Sequence, residues 1–384
     1  MAAPVGTSPA KATWLPMAVG MSRAFVSLEF MGSSGKSRTG TCWIDSGGGE
    51  LIVRRDFARE LGLREIGKAV TQNGERMVPL EPPRITASDV KIPVAAGDAL
   101  MLDSDRMISG VEADVLFPAR LLRDHAVTFD YPSRRFGLDI EAPPGTPLPI
   151  EISAHSGFAR VPLAVADQTI YALLDTGASC TMFSQALIDQ LREAHPDWRV
   201  VRGAYDDANM LGGSFEANAQ ELLVPQLAIN GITVPNVPVV SRPEGTFEKW
   251  MSSLTTGPIV GSLGGNVLRN FTVTIDYPNS RLFLNASDAL EAAHPLALVA
   301  LTLTPNDDGT YNVAQMLDDP SYSAMRAKII GAQLVSIDGT PVSNRRISDV
   351  HNLLRGIPKT SKRITVSRDG RLQSYDLPVV VLWN

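Results

Sequence analysis

Several things are scarce in this chain of 384 residues, and each scarcity excludes something. It has two cysteines, Cys42 and Cys180, too few for a disulfide framework, a four-thiolate zinc site or a CxxC redox pair. Its five histidines are widely scattered and there is no HExxH, which argues against a zinc centre; neither a metal nor another cofactor is expected. No apolar run approaches the roughly 18–20 residues that span a bilayer, so no transmembrane segment is expected. Basic excess is missing too: 35 Lys+Arg against 41 Asp+Glu leave a formal charge of −6, which argues against a nucleic-acid partner. The opening MAAPVGTSPAKATWLP lacks a basic stretch followed by a long apolar one, so it is not an intact signal peptide. Two placements stay open: a cytoplasmic chain, or an exported, periplasmic one whose leader has been removed.

What remains is the composition of an ordinary globular protein, 44% hydrophobic and 20% charged. The 31 glycines and 27 prolines follow no fixed period and suit many turns and short strands. The length fits two to four domains.

Two segments recur in the same order. The first is an apolar pair, an acid, a hydroxyl and a glycine: Trp43-Ile44-Asp45-Ser46-Gly47 and Leu173-Leu174-Asp175-Thr176-Gly177. The second is LLRDHAVTFDYPSRRFGL from Leu121 and VLRNFTVTIDYPNSRLFL from Val267, which share an Asp-Tyr-Pro turn at Asp130 and Asp276. Strands are expected over 24–29 and 159–165, leading towards each acid, and short helices over 56–61 and 185–191, with Ser184 as a cap for the second. Residues 127–131 with 136–138, and 273–277 with 282–284, read as hairpins. The proline-rich stretch EAPPGTPLP, 141–149, is a stiff linker, and a second boundary falls near 286–295. The expected organisation is an N-terminal extension 1–21, a first lobe 22–145, a second lobe 146–288 and a C-terminal domain 289–384.

Asp45-Ser46-Gly47-Gly48 and Asp175-Thr176-Gly177-Ala178, with Ile259-Val260-Gly261 further on, resemble the aspartic proteases and within them the retropepsin-like branch. The place matched to Ile259-Val260-Gly261 in the first half, Val115-Leu116-Phe117, lacks the glycine. The resemblance covers roughly 22–285 and implies a mainly β, bilobal fold with one acid per lobe, complete in a monomer. It implies Asp45 and Asp175 as the catalytic pair. Two close carboxylates cannot both ionise cheaply and share a proton; the ionised one activates a water and the protonated one donates to the peptide carbonyl. Ser46 and Thr176 are expected to bond across to the opposite loop. Gly47 and Gly177 let backbone N–H groups approach the carboxylates. In pepsin-like members the residue after the glycine is usually Ser or Thr; Gly48 and Ala178 offer no hydroxyl to the charged form, so activity is expected to reach from mildly acidic towards neutral pH. Asn73-Gly74 and Gly212-Gly213 are the expected tips of two flaps closing over an extended polypeptide substrate.

The last 90 or so residues resemble a PDZ domain of the bacterial type, on the run Lys328–Val342 (KIIGAQLVSIDGTPV) with Ala332 where the family usually has Asp. Residues 348–355 would then be the helix walling a peptide groove, 363–367 and 374–381 would close the sheet, and the carboxylate loop would lie near 307–313. The implied ligand is a C-terminal peptide added as a strand. The main alternative is a peptide-binding scaffold without turnover, in which Gly48-Gly49-Glu50 loosens the first site and the Glu50 charge disturbs the pair. Gly32-Ser33-Ser34-Gly35-Lys36-Ser37 imitates a P-loop but lacks its first glycine and a following helix, and reads as a hairpin tip. The cysteines read as buried and inert.

Overall fold

The computed structural model describes residues 12–72, 75–102, 113–208, 219–293, 296–306 and 308–383. The protein is mainly β. None of its described helices is long and apolar enough to cross a membrane.

The two hairpins carrying Asp-Tyr-Pro lie side by side and join the halves. Strand Ala126–Asp130 pairs antiparallel with Phe271–Asp276, placing Thr128 opposite Thr274. The two buried hydroxyls meet at 2.9 Å, so each satisfies a polar group that burial would otherwise leave costly. Outside this pair lie Arg135–Leu138 on one flank and Arg281–Ala286 on the other. Each hairpin turn is closed by its own acid. Asp130 accepts from Ser133 N and from Arg135 Nη2 at 2.7 Å, and Asp276 accepts from Asn279 N and from Arg281 Nη2 at 2.5 Å. Arg134 and Ser280, the residues between, take left-handed φ values of 53° and 52°. The repeated motif is therefore a repeated turn, with the carboxylate as its anchor.

Residues 13–20, expected from the sequence to lie in an extension, are a strand of the first half. Thr13–Gly20 pairs with Arg135–Leu138 through its first residues and with Arg23–Met31 through its last. Its early residues therefore do for the first hairpin what Leu148–Pro149 does beside Arg281–Ala286. Alternation explains the core: in Arg23–Met31 the buried Val26, Leu28 and Phe30 face inwards, while Ser27 and Glu29 point away. Helix Arg55–Leu61 buries Phe57, Ala58 and Leu61 and ends at Gly62 in the left-handed conformation. Helix Gln185–Ala194 is capped by Ser184, whose hydroxyl accepts from Leu187 N.

Each acid sits at the end of a strand with a parallel neighbour. Ser37–Asp45 runs beside Val115–Pro118, with Cys42 opposite Val115. Gln168–Leu174 runs beside Gly261–Leu263, with Ala172 opposite Gly261. By this register the counterpart of Gly261 is Val115, two residues before the place expected from the sequence. A β-carbon at Gly261 would collide with the Met182 carbonyl, a constraint tied to the second half's own packing.

The C-terminal unit is a sheet ordered Leu301–Pro305, Tyr311–Met316, Gln333–Ile337, Ser361–Arg368, Arg371–Pro378, with helices Ser323–Ile329 and Ile347–Leu354. The strand expected over 374–381 stops at Pro378: Val379 N still donates to the Thr360 carbonyl at 2.8 Å, but there the partner strand turns away, Thr360 N donating to the Ile357 carbonyl, and Val380–Val381 pairs instead with Ala297–Leu298. The apolar core of this unit is continuous with Met21, Trp43, Ala113, Leu116 and Tyr205 from the preceding halves. The Thr302 hydroxyl donates to the Ala204 carbonyl at 3.0 Å, and Arg355 pairs with the buried Asp206.

The turn anchor gives a prediction. Its hydrogen bonds, led by that from Arg135, hold the Asp130 carboxyl below the usual carboxylate range against the opposing pull of burial. Asp130→Asn should lower the urea-unfolding stability by about 1–2 kcal/mol at pH 7, the Arg135 end being half exposed. A depressed folded pKa contributes stability above the unfolded value and loses it as pH falls through the folded one, so the deficit should fade below about pH 4.

Candidate active site

Asp45 and Asp175 come together from the two halves, each carboxyl lying against the glycine of the other acid's loop. Asp45 is buried, while Asp175 keeps part of its surface open. Reciprocal bonds lock the two loops. Thr176 Oγ1 donates to the Ile44 carbonyl at 2.9 Å and accepts from Ser46 N at 3.1 Å. Ser46 Oγ donates to the Leu174 carbonyl at 2.7 Å and accepts from Thr176 N at 2.9 Å. All four bonds are buried and link residues about 130 positions apart in sequence, so each half completes the other's backbone.

The glycines are required by this closeness. A β-carbon at Gly47 would lie 2.6 Å from the Asp175 carboxyl carbon, and one at Gly48 would lie 2.7 Å from Asp45 Oδ2. One at Gly177 would fall on Asp45 Oδ1. None of these three is forced by a left-handed backbone; the opposing carboxyls fill the space.

The two acids are held differently. Asp175 Oδ1 accepts from Gly177 N at 3.0 Å and from Ala178 N at 2.9 Å. Asp45 Oδ1 accepts from Gly47 N at 2.9 Å, whereas Gly48 N turns to the Asp45 backbone carbonyl at 3.2 Å. Burial raises the Asp45 carboxyl well above its ordinary value, and the neighbouring Asp175 charge raises it further. Burial also raises Asp175, but the N–H groups of Ala178 and Gly177 and the neighbouring Asp45 carboxyl oppose it. The shared proton is therefore favoured on Asp45 and the negative charge on Asp175.

Further groups surround the pair that sequence reasoning missed. The buried Arg23 donates from Nε to the Gly177 carbonyl at 2.8 Å. Tyr131 and Tyr277, the tyrosines of the two hairpins, are buried, and their hydroxyl oxygens have no protein partner among the described residues. Burial pushes both phenols up; the Asp175 charge adds to this at Tyr131 and the Asp45 charge at Tyr277. Repetition of the Tyr in both hairpins is visible in the sequence; a guanidinium reaching a backbone atom 154 residues away is not.

Glu50 is not a third member. It pairs with Arg120 Nη2 at 2.5 Å, and Arg120 also donates to the Asp98 carbonyl. Cys42 and Cys180 are buried and unbridged, and burial raises the Cys42 thiol well above its usual range. Gly32–Ser37 is the tip joining Arg23–Met31 to Ser37–Asp45. The expected flap tips Asn73, Gly74, Gly212 and Gly213 lie outside the described residues; the strands flanking the first, Val70–Gln72 and Glu75–Leu80, pair antiparallel. Among the described residues no group of three or more His, Cys, Asp or Glu side chains could hold a metal ion.

Comparison with known proteins places residues 161–267 in register with the aspartyl protease family model, a match that includes Asp175-Thr176-Gly177. Among solved structures, an aspartic proteinase from Irpex lacteus is similar at 11% identity, covering 72% of this chain and 98% of its own, with a TM-score of 0.44. The photosystem II D1 C-terminal processing protease is similar at 22% identity over 23% of this chain and 24% of its own, with a TM-score of 0.21. No curated protein matches the chain.

The lock between the loops is testable by stability alone. Thr176→Ala leaves the Ile44 carbonyl and Ser46 N–H buried without their partner, and should cost about 2–4 kcal/mol in urea unfolding. Thr176→Ser keeps the hydroxyl and should stay within about 1 kcal/mol of the original protein.

Proposed function

We propose that the protein is an aspartic endopeptidase that hydrolyses extended polypeptides with a water activated between Asp45 and Asp175. The observation that carries this is the close carboxyl pair, Asp45 buried and Asp175 partly open, fixed by the Ser46–Thr176 lock. The family-model match over the second half supports it.

In this reading Asp175, stabilised as the anion by two backbone N–H groups, is the general base for the water. Asp45, protonated, donates to the carbonyl oxygen as the tetrahedral intermediate forms. As the C–N bond breaks, the proton that Asp175 accepted goes to the departing nitrogen and Asp45 takes a proton back from a hydroxyl of the tetrahedral intermediate, so the pair returns to one shared proton. No covalent intermediate is involved. Both carboxyls come from one chain, so one copy suffices. Residues 22–145, with the strand Thr13–Gly20 added, and 146–288 act as the two lobes, the segments around Asn73-Gly74 and Gly212-Gly213 act as flaps, and 289–384 is a PDZ-like module. That module takes a peptide C-terminus as an added strand beside helix Ile347–Leu354, either recruiting substrate or regulating the cleft. The alternative is a scaffold without turnover, in which Gly48-Gly49-Glu50 loosens the first site and the Glu50 charge disturbs the pair; the pairing of Glu50 with Arg120 speaks against the second of these grounds.

Cleavage of a peptide library followed by mass spectrometry tests the reading. Asp45→Asn and Asp175→Asn should each lose at least about a thousandfold in kcat/KM. Equal cleavage by all three proteins would leave the scaffold. Since burial raises both acids and neither Gly48 nor Ala178 brings a hydroxyl, the active singly ionised pair should persist from mildly acidic towards neutral pH. A pH–rate optimum well below pH 3 would contradict the assignment.

A further inference from the structure

Arg23 is a buried cation that the mechanism above does not use. It is 4% exposed and opens the strand Arg23–Met31. The two residues before it, Met21 and Ser22, have φ values of 47° and 61°, and Gly20 pairs with Arg23. The chain thus reverses through a two-residue turn with both central residues left-handed, a turn that ordinarily selects Asn-Gly. Met and Ser hold it here because the tip is lodged against the second half. The Ser22 carbonyl fills the space where a Gly265 β-carbon would stand, and Arg269 Nη1 donates to Ser22 Oγ at 3.2 Å.

From that wedged turn Arg23 reaches both acid loops. Its Nε donates to the carbonyl of Gly177, the residue whose own N–H holds Asp175, at 2.8 Å. Its guanidinium carbon stands 5.0 Å from the ring centre of Trp43, two residues before Asp45. The second half has no matching charge. Phe25 pairs with Trp43 and Arg160 pairs with Leu173, so the register makes Phe158, 1% exposed, the counterpart of Arg23.

We propose that Arg23 is a positioning residue of the acid pair: it fixes the Gly177 peptide against the first half and holds one permanent positive charge beside both carboxyls. A guanidinium cannot lose its proton in a protein, and its plane can stack on an indole while an edge N–H stays aimed at a carbonyl. Among the described residues, the groups acting on the pair are each acid's partner, the N–H groups of Gly47, Gly177 and Ala178, the Tyr131 and Tyr277 hydroxyls, and Arg23. Of these only Arg23 is cationic, and its charge opposes the upward push of burial on both acids. It thereby favours the singly ionised form at lower pH than burial alone would allow. The consequence for turnover rests on the endopeptidase reading; the effect on titration does not.

The full chain, Arg23→Met and Arg23→Lys are compared by carboxyl carbon NMR titration, with Asp45→Asn and Asp175→Asn used for assignment, and by pH profiles of kcat/KM. Arg23→Met should move the titration of the pair up by about 1 pH unit and carry both limbs of the profile with it. Arg23→Lys should titrate within about 0.3 unit of the original but with a lower kcat, because an ammonium keeps the charge and loses the fixed fork. A purely structural role would lower stability without moving either titration. Titration of Arg23→Met superimposed on the original would overturn the proposal. Should that variant not fold, the Arg23 Nε–H resonance of the unaltered protein decides: it should shift with the midpoint of the acid pair, and a resonance flat across that range refutes the contact. If both Asn variants cleave like the original, the endopeptidase reading falls while the titration still judges Arg23.

Discussion

Four buried hydrogen bonds between Ser46 and Thr176 and the backbone of the opposite half set the geometry on which the rest of the molecule turns. They are reciprocal, each hydroxyl donating to a carbonyl and accepting from an N–H across the join. Neither loop can satisfy its own polar groups, so neither half is complete when separated. With the loops held, the two carboxyls are forced into a distance where one proton must serve both, and the glycines beside them follow as the only residues that leave room.

The sheet beneath repeats this logic on a larger scale. The hairpins of the two halves pair around Thr128 and Thr274, and each closes on its own Asp–Arg contact. Placing the acids therefore depends on an assembly with near two-fold character whose symmetry is broken at the centre. Asp175 receives two backbone N–H groups where Asp45 receives one. A pair that is nearly alike in sequence is thus unlike in charge, and unlike roles need no further residue to be defined.

Much of this is legible in the amino-acid order alone. The doubled Asp-Ser/Thr-Gly and Asp-Tyr-Pro patterns point to two similar halves because both elements are local: a turn and its anchoring acid lie within a few residues of each other. The helix begun by Ser184 is legible for the same reason. Other features are not local. The strand Thr13–Gly20 follows an opening rich in small residues and is fixed by partners on two sheets. The match of Gly261 to Val115 is set by parallel pairing, which leaves no residue signature of its own. Arg23 looks like an ordinary strand-start arginine, since its partner is a main-chain oxygen in the other half. The C-terminal strand runs short at Pro378 because its partner turns back at Thr360, a limit set by the other strand and not by the run of valines itself.

The C-terminal unit is not an appendage in packing terms, since its core runs on into Trp43 and Leu116 beside the first acid's strand. Arg23, reaching the acid loops, has a different kind of consequence. Two identical subunits meeting on an axis could bring to that axis either two such cations or none, and two would overcompensate one shared anion. A chain that carries both copies of its repeat escapes this parity: it can set Arg23 in one copy and Phe158 in the other, and so tune a common centre by a single unit of charge.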